Sequence, residues 1–149
     1  MKDKIIGFIG AGNMASSIIR GLIKSGKAPA TILVKDIDKV KLEYLADETG
    51  IKPSSANDIC TIADAVVLAV KPQLMKTVCL EIKAFDSSKL LVSVAAGVKV
   101  AQLEDWLDKP AALVRCMPNT PALIGQGASG LFANKFTSEQ QKELAQYIM

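Results

Sequence analysis

The sequence predicts an α/β fold, a doubly wound and mostly parallel sheet with helices on both faces, and three observations predict it. Short apolar runs alternate with segments of helical period through most of the chain. One run, Ala65-Val66-Val67-Leu68-Ala69-Val70, is apolar at every position, as expected of a strand covered on both faces and therefore paired in parallel. The first run leads through a glycine-rich turn straight into a helix, the arrangement found where a nucleotide meets such a sheet.

That first strand is carried by Ile5, Ile6, Phe8 and Ile9, and the helix after it by Met14, Ala15, Ile18, Ile19, Leu22 and Ile23, with Gly26 as its stop. Between them Gly10, Gly12 and Ala15 fit G-x-G-x-x-[GA]. Gly10 permits the sharp turn, Gly12 removes a side chain that would meet a phosphate, and Ala15 keeps the helix close to the strand. Anion binding then needs no charged residue, because the unsatisfied N–H groups and the helix dipole supply it.

A loop at Ala28-Pro29-Ala30 precedes a short strand, Thr31 to Val34, that ends at Lys35-Asp36. Asp36 lies 26 residues after Gly10, slightly beyond the usual spacing of the acid that bonds a ribose 2′-hydroxyl. A carboxylate there favours NAD over NADP, whereas Lys35 or Lys39 could instead neutralise a 2′-phosphate. The plainer reading makes Asp36 and Asp38 caps of the next helix, Asp38 to Thr49, which Gly50 stops. Ile51-Lys52-Pro53 reads as an edge strand, and Ser54, Ser55 and Asn57 precede a short helix with Asn57 as its expected N-cap.

The run from Ala65 to Val70 ends at Lys71-Pro72, on the edge where ligands of open α/β sheets bind. A helix over 73–82 and a strand from Leu90 to Val94 follow, then Ala95-Ala96-Gly97. Those small residues leave room for a flat ring, although alone they would read as an ordinary turn. Val100 to Leu107 is a helix in which Trp106 is a packing residue, and Ala112 to Met117 is the next strand. Pro118-Asn119-Thr120-Pro121 then forms a rigid loop that presents Asn119 and Thr120. The link to Ala128-Ser129-Gly130-Leu131-Phe132 is too short for a crossover helix, so that last strand is expected to be antiparallel. Thr137-Ser138-Glu139-Gln140 has a capping-box pattern and opens a final helix through Leu144, Ala145 and Ile148.

With 149 residues, half of them hydrophobic, the chain suits one globular domain. A net charge of +3, no basic block and 5% aromatic residues argue against nucleic acid as the main partner. The absence of histidine removes Ser-His-Asp and Cys-His catalysis and most transition-metal sites. Cys60, Cys79 and Cys116 are scattered with no C-x-x-C pair, which fits a reducing compartment and a cytoplasmic protein with no resident metal. The apolar N-terminal run is broken by Gly7, Gly10 and Gly12, so it reads as a core strand rather than a signal peptide, and no membrane association is expected. The chain ends at Met149 inside an amphipathic helix, as a piece of a longer protein would, and Leu144 and Ile148 are expected to present apolar surface to a further domain.

Four segments, Phe8 to Ala15, Ala69 to Pro72, Val94 to Val98, and Arg115-Cys116-Met117-Pro118-Asn119-Thr120-Pro121, occur in the order and spacing of one family. Together they closely resemble the N-terminal dinucleotide-binding domain of pyrroline-5-carboxylate reductases, over essentially the whole chain. The resemblance implies a Rossmann-type domain and hydride transfer from NADPH or NADH to 1-pyrroline-5-carboxylate, giving L-proline. It also implies that Ile9, Gly10, Ala11, Gly12, Asn13 and Met14 hold the pyrophosphate, and that Lys35, Asp36 and Asn57 lie near the adenosine end. Ala69, Val70, Lys71, Pro72, Ala95, Ala96 and Gly97 would line the nicotinamide half, and Asn119 and Thr120 would face the hydride cleft as positioning residues. Relatives carry a second, helical domain that forms the homo-oligomer and supplies most substrate-gripping groups, so this chain alone is expected to bind cofactor without turning over substrate. β-Hydroxyacid dehydrogenases and F420-dependent NADP reductases would share the glycine turn but not the loop from Met117 to Pro121, and a non-catalytic nucleotide-binding module is a third possibility. No residue of the chain needs to act as acid or base, because the imine can enter protonated while the cofactor brings the hydride.

Overall fold

A computed structural model describes residues 1–117 and 130–149. Asn119 and Thr120 lie outside the described residues, as do Pro118, Pro121, Ala128 and Ser129. Seven strands form one sheet: β1 (Ile6–Ile9), β2 (Ile32–Lys35), β3 (Lys52–Pro53), β4 (Ala65–Leu68), β5 (Leu90–Ser93), β6 (Ala112–Met117) and β7 (Gly130–Ala133). Their order across the sheet is β3-β2-β1-β4-β5-β6-β7. All pairs are parallel except β6 with β7, which is antiparallel as expected. The order runs outward in both directions from β1, so the crevice at the switch between β1 and β4 opens at the carboxyl ends of the strands.

Six helices among the described residues cover the sheet: α1 (Asn13–Lys24), α2 (Lys39–Thr49), α3 (Ala56–Ile62), α4 (Met75–Glu81), α5 (Val100–Leu107) and α6 (Glu139–Ile148). Alternation along the strands divides the interior into two layers. Ile6, Phe8, Val34, Val67, Val92 and Val114 face α1 and α6, whereas Ile9, Leu33, Val66, Leu68, Leu91 and Leu113 face α3, α4 and α5. Such two-sided burial is why the central strands read as unbroken apolar runs. Gly7 lies where α3 comes closest to β1; a Cβ there would stand 2.3 Å from Ile59 Cγ2. Trp106 is half-buried against the second layer, as a packing residue should be. No helix among the described residues is long and apolar enough to cross a membrane.

Several expectations are corrected. Ser55, not Asn57, caps α3: it has the extended backbone and its side chain accepts from Asp58 N, while Asn57 is already inside the helix. The capping box of α6 falls one residue later than the pattern suggested, on Ser138 and Gln141. Thr137 is buried instead, and its Oγ1 binds Leu113 N (3.1 Å) and Asn134 Oδ1 (2.8 Å), fastening the corner before α6 to β6. Leu144 and Ile148 are not left exposed, because α6 lays them on the layer shared with β6 and α1, where they are 7% and 3% exposed. The helix after β4 begins with one 3-10 turn, Pro72–Leu74, before α4.

Candidate functional site

Register brings the candidate segments together. Ile9 pairs with Lys35 and with Leu68, Leu68 with Ser93, and Ser93 with Arg115, so one row crosses five strands. On β1, β2, β4 and β5 the residues just beyond that row are Gly10, Asp36, Ala69 and Val94, and the rim of the crevice is built from the stretches they begin.

Gly10 has φ +112°, and a Cβ on it would stand 2.5 Å from Ala69 O. The turn therefore needs glycine both for its backbone conformation and for its contact with β4. Its N–H donates to Lys35 O (2.7 Å), while Ala69 N donates to Ile9 O (2.9 Å), so the turn is tied to both neighbouring strands. Gly12 differs: its φ is −75° and nothing lies within 4 Å of a Cβ built on it. Here glycine keeps space open. Ile9 and Ala11 are buried, Met14 is half-buried and Asn13 is exposed at the start of α1. Ala15 is wholly buried, which lets α1 lie close to the sheet.

The α1 N-terminus has neither a side-chain cap nor an acidic residue in its first turn, whereas α2, α3 and α6 are capped by Asp38, Ser55 and Ser138. Its first N–H groups have no acceptor within the helix and carry the positive end of the dipole. An anion with several oxygens fits there.

Toward β2 the two competing readings of the acidic pair separate. Asp38 caps α2, accepting from Val40 N and Lys41 N at 3.1 Å each. Asp36 turns the other way: its Oδ2 accepts from Ala11 N (2.6 Å) and its Oδ1 from Asp38 N (2.7 Å), which holds the half-buried carboxylate against the glycine turn. Lys35 Nζ forms an ion pair with Glu81. A groove of about 340 Å³ beside this pair is lined by Lys35, Ser55, Asn57, Cys60, Glu81 and Ile82, so exposed Asn57 shares a groove with Lys35 although its capping role is lost.

Toward β4 and β5 the rim is nearly free of polar side chains. Ala69 and Val70 are half-buried, Lys71 and Pro72 exposed, Ala95 buried, and Ala96 and Gly97 exposed. Gly97 has φ +75°, so the chain turns away at that point and leaves Ala96 at the rim. Burial pushes the Cys60 thiol up, and that of Cys79 up to about 11, so neither is a nucleophile near neutral pH.

Two neighbours of Lys35 and Asp36 were not marked by the sequence. Ile37, directly after Asp36, is 85% exposed, and an isolated apolar residue following a candidate ribose acid is a signal that could have marked it. Glu81, the partner of Lys35, lies 46 residues away with no local pattern to announce it.

Comparison with known proteins agrees with this geometry. Residues 5–97 match the family described as NADP oxidoreductase, coenzyme F420-dependent. The chain is 47% identical to a pyrroline-5-carboxylate reductase of Pseudomonas aeruginosa and 44% identical to one of Haemophilus influenzae, in each case over all of this chain and 55% of the relative. Among solved structures, a pyrroline-5-carboxylate reductase from Coxiella burnetii superposes with a TM-score of 0.92 at 41% identity, over 97% of this chain and 55% of that one. The Plasmodium falciparum pyrroline carboxylate reductase, solved with NADP bound, gives 0.87 at 29% identity, over 99% of this chain and 55% of that one. The chain thus spans about half the length of the relatives it matches. It belongs to the NADP oxidoreductase family described as coenzyme F420-dependent, and its fold matches that of about half the length of a pyrroline-5-carboxylate reductase.

Proposed function

We propose that this chain binds a reduced nicotinamide dinucleotide and forms the cofactor-binding part of a reductase that converts 1-pyrroline-5-carboxylate to L-proline. The observation that carries the proposal is the uncapped start of α1 beside open space at Gly12, with the Asp36 carboxylate on one flank and small residues on the other. In this reading the N–H groups of α1's first turn receive the pyrophosphate, and Asp36 accepts from the adenosine ribose. Asn57, exposed in the groove beside Lys35, borders the adenosine end. Ala69, Val70, Ala95, Ala96 and Gly97 leave a smooth ledge for the ring, with Lys71 and Pro72 at its outer end. When bound, the dihydronicotinamide supplies the hydride, and the chain's part is to bind and orient it and to keep water from its reactive face.

No described side chain need donate or accept a proton, since the imine nitrogen can arrive protonated. Asn119 and Thr120, outside the described residues, are the positioning candidates of this reading. The groups that grip the substrate are proposed to lie in the part of the relatives' length that this chain does not span, so the 149-residue chain is expected to bind the dinucleotide without reducing the imine.

Gly12→Val tests the reading. Its Cβ meets nothing within 4 Å, so the variant should match the parent in stability within roughly 1 kcal/mol, while affinity for NADH and NADPH falls by about a hundredfold. Fluorescence titration and urea unfolding read the two quantities separately, and unchanged affinity in the variant would sink the proposal.

A further inference from the structure

Resting on that reading of the crevice, we infer that this chain selects NADH over NADPH and that Asp36 is the discriminating residue, despite the NADP in its family's description. The Asp36 carboxylate is fixed by two main-chain donors, Ala11 N at 2.6 Å and Asp38 N at 2.7 Å. It cannot swing aside without abandoning both, so a ligand meets it where it stands, at the end of β2 beside the glycine turn. Its remaining lone pairs suit a hydroxyl donor. A ribose 2′-hydroxyl can donate to it in a charge-assisted bond, whereas a 2′-phosphate is mostly dianionic at neutral pH and brings like charge.

The surroundings offer little to offset that repulsion. A 2′-phosphate site of this fold usually supplies an arginine close by, but here the next residue is Ile37, 85% exposed and apolar, which suits the face of an adenine ring. Lys35, the cation closest in sequence, is already paired with Glu81. Asp38 adds a second carboxylate to the same loop. Lys39, in the first turn of α2, is the one cation of that loop for which no carboxylate partner occurs among the described residues. One positive charge faces two negative ones between Asp36 and Lys39. A single uncompensated like-charge contact, screened as at a surface, suffices for roughly tenfold discrimination.

The experiment is a pair of titrations of the 149-residue chain with NADH and with NADPH, followed through nicotinamide fluorescence at one fixed ionic strength. The expected result is NADH tighter by about tenfold or more. Asp36→Ser should narrow that ratio by about tenfold, through both weaker NADH and tighter NADPH. Ile37→Arg, which leaves Asp36 and its two donors in place, should narrow it mainly by tightening NADPH, and so gives an answer even if Asp36→Ser fails to fold. Equal affinities in the parent chain, or tighter NADPH, would overturn the inference while leaving the dinucleotide site standing. A folded Asp36→Ser variant with the parent's ratio would overturn the role given to Asp36. Binding of neither dinucleotide would overturn the proposed function, and this inference with it.

Discussion

Toward β2 the crevice presents an oriented carboxylate, a capped helix and an ion pair, whereas toward β4 and β5 it presents Ala69, Val70, Ala95, Ala96 and Gly97, whose side chains carry no polar atom. The first flank can tell one ligand from another, because a buried or oriented polar group penalises the wrong partner. The second flank has little to recognise with, and what it offers is shape, a surface of small apolar residues that a flat ring would fit in the proposed function. Under the proposed function, identity is read at the end of the cofactor remote from the reaction, and position is set at the end where hydride would leave. Gly10 joins the two flanks, hydrogen-bonded to β2 through Lys35 O and touching β4 at Ala69.

Breaking that joint should give the largest effect. In Gly10→Ala the new Cβ would stand 2.5 Å from Ala69 O and 2.8 Å from Ala69 C on a backbone at φ +112°. Both neighbours are main-chain atoms of the sheet, so relief requires β1 and β4 to part beside the Ala69 N to Ile9 O bond. A loss of roughly 3 kcal/mol or more in urea unfolding is expected. A variant as stable as its parent would mean that the two flanks are not rigidly coupled through this glycine.

What the sequence revealed follows the same division. The glycine turn, the unbroken run from Ala65, the Gly50 stop and the strand from Ala112 to Met117 are local patterns, and the structure reproduces them. The polar details on the β2 flank depend on which of several adjacent polar residues has the extended backbone. Ser55 rather than Asn57 and Asp38 rather than Asp36 take the caps there, as Ser138 rather than Thr137 does at the far edge of the sheet, and closeness in sequence could not choose between them. Once Asp38 takes the cap, Asp36 is released to reach Ala11 across a separation of 25 residues, a tertiary contact with no local signal. Leu144 and Ile148 carry a similar lesson: an apolar face on a terminal helix does not announce its partner, which here is the molecule's own sheet.

The smooth flank can be tested without disturbing the fold. Ala96 is exposed at the rim, so Ala96→Leu should change stability by no more than about 0.5 kcal/mol. Crowding of the ledge should still weaken dinucleotide binding by roughly tenfold. The decisive feature is symmetry: NADH and NADPH should lose affinity by the same factor, since their nicotinamide halves are identical. Unequal losses in paired titrations would mean that the β5 side also reads the adenosine end.

The smallest expected effect separates the two acids of the β2 flank. Asp38→Ala removes the acceptor of Val40 N and Lys41 N but keeps the main-chain N–H that binds Asp36 Oδ1. Loss of an N-cap costs about 1 kcal/mol, and in a chain of this size that lowers Tm by roughly 2–4 °C. Because Asp36 keeps both of its donors, the preference between NADH and NADPH should stay near that of the parent chain, in contrast to Asp36→Ser. Thermal unfolding and paired titrations on one preparation give both answers. If Asp38→Ala shifted the preference as far as Asp36→Ser, the pair would be acting as pooled negative charge, and the hydrogen-bond orientation of Asp36 would no longer be what selects the ligand.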